Sequence, residues 1–164
     1  MSARGPGDGP AVAGPSSAFL LAQLGAHAAR LFAGLVTELD LSPAHAGLLR
    51  AIAGAPGRSQ QAIARQLGTP ATRLVGLVDE LERRGFIERR RNAEDRRHYQ
   101  LYLTDTGRQA MRSLGRLAGR HDSALLAALD QPERDQLHAL LTRIVEQQGL
   151  TAGVHPGYRD RAGT

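Results

Sequence analysis

The hydrophobic period of this chain changes at Gly85, and that change limits the possible folds more than any other feature of the sequence. Before it, Leu74, Leu77 or Val78, and Leu81 recur at helical spacing between Pro70 and Arg84, the stripe of an amphipathic helix. Gly85 is placed as the glycine that ends such a helix. After it, Phe86-Ile87-Glu88-Arg89-Arg90 reads as a short strand and Asn92-Ala93-Glu94-Asp95 as a polar turn. His98-Tyr99-Gln100-Leu101-Tyr102-Leu103 then alternates in strand fashion. The result is a helix feeding a β-hairpin whose tip is crowded with Arg89, Arg90, Arg91, Arg96 and Arg97.

The preceding residues predict more helices. Ser42-Pro43 reads as an N-cap followed by proline at the first helical position, and the helix carries Leu48, Leu49 and Ile52 until Gly54-Ala55-Pro56-Gly57. Ser59 caps a short helix from Gln60 to Leu67, whose Ile63 and Leu67 form a core pair. Gly68 ends it, and Thr69 is expected to cap the helix that follows, with Pro70 in its first turn. Two short helices joined by a tight glycine turn are a helix-turn-helix signature.

Long helices flank this unit. From Ser17 to Leu39 apolar residues lie nearly all round the helix, so it is expected to be covered on most sides, most simply by a second subunit. Thr104 is expected to cap a helix running to about Leu129, in which Gly115 and Gly119 permit a bend or a close approach. Asp130 and Glu133 form a capping box for a last helix. That helix has a stripe of Leu137, Leu140, Leu141, Ile144 and Val145, for which the first helix is the natural partner. Residues 1–16 are dense in Gly and Pro and read as a disordered arm, and 149–164 as a flexible tail.

Composition agrees with a mostly α protein. Hydrophobic residues are 41% of the 164, aromatics only 4%, and Trp is absent, which leaves a core of Leu, Ala, Val and Ile. The formal charge is +5 with a pI near 10.8, and all 21 basic residues are arginine. Arginine forks bind phosphates in a bidentate way, so a polyanionic partner suits this balance, although genome composition alone also yields an all-arginine chain. The absence of cysteine excludes disulfides, thiol redox sensing and cysteine-based zinc sites. The six histidines never pair at i, i+4, which gives metal sensing little support, and no metal or cofactor is expected. No signal peptide is evident and no uninterrupted apolar run reaches membrane-spanning length, so a soluble cytoplasmic protein without a membrane partner is expected.

Leu81-Glu82-Arg83-Arg84-Gly85-Phe86-Ile87-Glu88-Arg89, Asp95-Arg96-Arg97 and Leu103-Thr104-Asp105-Thr106-Gly107 together resemble the MarR family of bacterial transcriptional regulators. The likeness covers roughly residues 18–148. It implies a winged helix-turn-helix, mostly α with a small β-hairpin wing, in a single domain over 17–148. The DNA-binding lobe would span about 42–104, and helices at about 17–39 and 105–148 would form the dimerisation region. By resemblance Arg97 enters the DNA minor groove, where a narrow, negative channel receives arginine, and Asp95 orients it. Arg96, Arg91 and Arg90 are better placed for phosphates. On the recognition helix the candidates are Thr69, Thr72, Arg73 and Gly76. Arg73 either forks onto guanine or only touches phosphate. Many family members carry Thr-Arg where this chain has Val75-Gly76, so base reading departs from the family pattern here. Gln60 and Gln61 are either phosphate contacts or plain solvent-facing residues. The family also binds small anionic or phenolic effectors, for which Arg30 and His45 match by rough position only; the alternative is that both are ordinary satisfied polar groups.

The expected function is a sequence-specific regulator, a homodimeric and ligand-responsive repressor on a pseudo-palindromic operator of double-stranded DNA. The alternative is a sequence-tolerant architectural binder using the same wing. Neither a phosphate loop, a nucleophile elbow nor a metal motif appears, so an enzyme is not expected.

Overall fold

Glycines in the left-handed conformation close both helices of the central helical hairpin. The computed structural model describes residues 14–92 and 99–151. In order these are α1 (Ser17–Val36), a 3-10 turn (Thr37–Leu39), α2 (Pro43–Gly54), α3 (Gln60–Leu67), α4 (Ala71–Arg83), β1 (Ile87–Arg91), β2 (Tyr99–Leu103), α5 (Asp105–Leu125) and α6 (Gln131–Gln147). Gly68 at φ 62° lets the Thr69 N–H donate to the Ala64 carbonyl at 3.1 Å, which closes α3. Gly85 at φ 74° does the same for α4, bringing the Phe86 N–H to the Leu81 carbonyl at 2.9 Å.

The first of these endings corrects the expectation for Thr69. Its backbone finishes α3 instead of opening α4, its side chain is buried, and its Oγ1 has no hydrogen-bond partner. Pro70 stands at the N-cap of α4, without a side-chain cap. The other caps form as expected: the Ser42, Ser59 and Thr104 side chains accept from the backbone of His45, Ala62 and Gly107. The reciprocal Asp130–Glu133 box is present, both bonds at 2.9 Å. Ser16, assigned from sequence to the N-terminal arm, caps α1.

The core lies beneath the helix-turn-helix. Leu48, Leu49 and Ile52 of α2 meet Ile63 of α3, Leu74 and Leu81 of α4, and Leu101 of β2, all fully buried. Each such side chain contributes about 1.5–3 kcal/mol by leaving water. β1 and β2 pair antiparallel from Ile87↔Leu103 to Arg91↔Tyr99. The α2–α3 loop lies against the other edge of β2, where Gly57 donates to the Leu101 carbonyl at 3.0 Å and Leu101 donates to that of Arg58 at 3.1 Å.

The base of the hairpin is closed by the Thr104–Gly107 turn. Thr104 N–H donates to the Phe86 carbonyl at 3.1 Å, and its hydroxyl lies 2.6 Å from the Gly85 carbonyl. Gly107 passes so near that a Cβ there would overlap the Phe86 carbonyl oxygen. In the same turn the hydrogen bond from Arg108 holds the Asp105 carboxyl below its ordinary range. A negative group is favoured there by the helix N-terminus.

The flanking helices differ from expectation in two respects. α5 ends at Leu125, not near Leu129, because the chain leaves the helix in turns before Asp130 starts α6. α1 packs on α5 and α2, whereas among the described residues α6 makes no substantial contact with another element of this chain, the expected α1 included. Its Leu140 and Ile144 are therefore 45% and 43% exposed, as Phe19 and Leu24 of α1 are 59% and 53%. By length and composition the segment Ser17–Leu39 is apolar enough to cross a bilayer, although Gln23, His27 and Arg30 interrupt its apolar run. Its far end is nonetheless anchored in the domain by fully buried Val36 and by Phe32 on the core.

Replacing Gly107 by Ala is expected to cost about 1–3 kcal/mol in urea unfolding, since backbone must move to admit the methyl. Gly119→Ala, with open space at its Cβ, is the control and should leave stability equal or raise it by up to about 1 kcal/mol.

Candidate nucleic-acid interface

α4 buries Leu74, Val78 and Leu81 and turns Thr72, Arg73, Val75 and Gly76 to solvent. The same helix carries three acids, each a poor neighbour for a phosphate backbone. All three are paired. Arg89 of β1 forms ion pairs with both Asp79 and Glu82, and its backbone N–H donates to Glu82 Oε1 at 3.2 Å. Glu80 takes His45 Nε2 at 3.1 Å and Arg84 at 3.5 Å, and Arg84 also reaches Asp40 at 3.2 Å. Arginine at 89 is thus not part of the wing tip, as its place in the sequence suggested. Its strand position lays it against α4, with a side chain only 21% exposed. Burial alone would weaken the guanidinium's hold on its proton. The Asp79 hydrogen bond and the charges of Glu82 and Asp79 outweigh burial, so Arg89 is held charged more firmly than usual.

Arg90 lies over the Tyr102 ring at 4.5 Å while its Nε donates to Glu88 at 3.0 Å. It stays 59% exposed, so one face of the guanidinium remains open to solvent. Arg91 is exposed at the end of β1. Asp95, Arg96 and Arg97 lie outside the described residues. At the start of α3 Gln60 is half-buried and Gln61 exposed. Thr69, grouped from sequence with the DNA-facing residues, is turned into the core instead.

Arg30 and His45, the two effector candidates, are not brought together. Arg30 is exposed on α1. His45 is buried: its Nδ1 accepts from the Ser42 N–H at 3.2 Å, which puts the neutral ring's proton on Nε2, facing Glu80. Within ion-pair reach of Glu80, Nε2 lacks the alignment of a hydrogen bond. Neither residue lines the cavity of about 680 Å³ that opens between α1, α2 and α5. That cavity is walled by Ala28, Phe32, Ala46 and Leu114, with Arg50 and His121 as its polar groups. The Phe32 and His121 rings are 5.9 Å apart. Sequence reading missed Arg50 and His121. The available signal was the small residues on three helices, Ala28, Gly47 and Gly115, which leave room where larger side chains would fill it. Among the described residues no cluster of His, Asp and Glu suits a metal ion.

Such an arrangement, a helical hairpin with an exposed second helix and an arginine-bearing β-hairpin packed behind it, defines a winged helix-turn-helix protein. The chain belongs to the MarR family of transcriptional regulators, which are not enzymes: the family model matches residues 39–98. A protein assigned as a transcriptional regulator of the hcr operon in Thauera aromatica is 35% identical over 123 residues, 74% of each chain. The transcriptional repressor MprA of Escherichia coli K12 is 39% identical over 92 residues, which cover 51% of each chain. Among solved structures, the transcriptional repressor CouR bound to a 23-mer DNA duplex superposes with a TM-score of 0.70 at 33% identity. The match covers 79% of this chain and 92% of that one.

Arg89→Ala is expected to weaken binding of any DNA duplex roughly tenfold, about 1.4 kcal/mol, by exposing two carboxylates to phosphate. Adding Asp79→Asn to that variant should recover part of the loss in a titration followed by fluorescence anisotropy. A double variant no better than Arg89→Ala alone would make Arg89 a direct DNA contact.

Proposed function

We propose that this chain is a sequence-specific repressor that binds double-stranded DNA as a homodimer in the cytoplasm and releases it when a small ligand fills the α1–α2–α5 cavity. The observation that carries the DNA reading is the neutralisation of every acid on α4, which leaves an exposed helix face compatible with a phosphate-lined groove. The similar repressor seen with a 23-mer duplex supports it. In this reading the lobe over about 42–104 meets DNA. Thr72, Arg73 and Gly76 face the major groove, Gln60 and Gln61 approach phosphates, and the wing enters the minor groove with Arg97 held by Asp95, flanked by Arg90, Arg91 and Arg96. The exposed apolar faces of α1 and α6 are the dimer surface, since isolated stripes of this size demand a cover. In the cavity, Arg50 supplies a fork for a carboxylate and His121 an acceptor for a phenol, amid apolar walls that take a ring.

Selection of bound duplexes from a random pool should return a two-fold symmetric site with half-sites about 34–36 Å apart. Unsymmetric, sequence-tolerant enrichment would favour an architectural binder. Arg97→Ala should sharply weaken binding to the selected duplex while sedimentation still shows a dimer. Arg73→Ala should relax one base position per half-site by about 1–3 kcal/mol, and a uniform loss across sequences would make it a phosphate contact. A monomer at micromolar concentration would remove the assignment of α1 and α6.

A further inference from the structure

Val75 and Gly76 stand side by side in the middle of α4, and the fold explains neither. A β-branched residue and a glycine are both unfavourable inside a helix. Leucine at 77 repays its place by packing on the core, but Val75 is 41% exposed and is not among the residues packed there. Among the described residues a Cβ at position 76 would meet nothing, so no neighbour there requires glycine. Two adjacent residues that break a local rule without compensation inside the molecule point to something outside it.

We propose that Val75 reads thymine: its methyl groups, beside Thr72 and next to the bare backbone of Gly76, receive the 5-methyl group of one thymine in each half-site. The chemistry follows from what this stretch of helix offers. Arg73 is the one forked donor of this stretch and serves a neighbouring base or phosphate, whereas Thr72, Val75 and Gly76 present only methyl groups and a single hydroxyl, with neither the fork nor the amide that recognises guanine or adenine. Thymine is the base whose major-groove edge carries a methyl group. Glycine at 76 lets the helix approach by the thickness of a side chain, which brings the short valine within reach of the base edge. The acids that would oppose this approach, Asp79 and Glu82 on the same flank, are held by Arg89. The inference rests on α4 being the groove-entering helix.

The test uses the full-length protein and a duplex selected from a random pool, in which each dT is replaced singly by dU. This change removes one methyl and leaves base pairing intact. For the unaltered protein, one dT in each half-site should show about a fourfold loss of affinity, the equilibrium value of one buried methyl at about 0.8 kcal/mol. Val75→Ala should bind the dT duplex more weakly by a similar factor and be indifferent to dU at that position. Gly76→Ala should keep or raise the Tm, yet weaken binding. If Val75→Ala keeps the full dU penalty, or no dT is sensitive in an enriched duplex, this inference is overturned alone. A pool that enriches nothing overturns the underlying reading of α4 together with it.

Discussion

The Phe86 carbonyl occupies the space that a side chain at position 107 would need, and this close approach sets the relation of the wing to the long helix behind it. Thr104 makes the approach possible, since its hydroxyl and N–H both turn to the Gly85–Phe86 backbone while its Oγ1 accepts from Gly107. One threonine therefore ends β2, starts α5 and fastens both to the start of β1. Because Gly85 also ends α4, the orientation of the exposed helix, the strands and α5 is settled within a few residues. The Leu-Thr-Asp-Thr-Gly stretch carries that junction, and its first threonine, Thr104, and its glycine, Gly107, are hydrogen-bonding and steric necessities.

A second constraint is electrostatic. Asp79, Glu80 and Glu82 give α4 an acidic rear half, which would be a burden beside a polyanion. Arg89 from the wing answers Asp79 and Glu82, and Arg84 at the end of the helix itself answers Glu80, which the neutral His45 ring also faces. The Arg89 pairs also fasten α4 to β1, so neutralising that flank of the helix and holding its angle are one interaction. α2 in turn presents Arg50 and Ala46 to the cavity and His45 to α4, so a single rigid helix has the cavity on one side and the exposed helix on the other.

Much of this was legible from residue order. The change of period at Gly85, the serine and threonine caps and the Asp130–Glu133 box are local signals, and local hydrogen bonds honour them. Failures came where a residue's partner is distant or where two elements compete for one residue. Thr69 has the chemistry of a cap, but the Schellman closure of α3 claims its backbone first. Arg89 reads as one of a run of arginines, and only the strand register turns it toward Asp79 rather than the tip. α6 has a clean apolar stripe, yet a stripe states only that a cover exists and not which surface supplies it. The cavity is invisible in the same way, being made by residues too small to fill it.

The inward commitment of arginine also bears on how ionic strength acts on this protein. Binding to a polyanion weakens with salt in proportion to the phosphates actually neutralised, because each one frees a condensed counterion. Arg89 is already spent on two carboxylates and Arg90 partly on Glu88, so neither adds to that count as a free cation would. Net charge is thus a poor guide to salt sensitivity here. The quantity that matters is how many of the arginines, having satisfied the fold, still have a face turned outward.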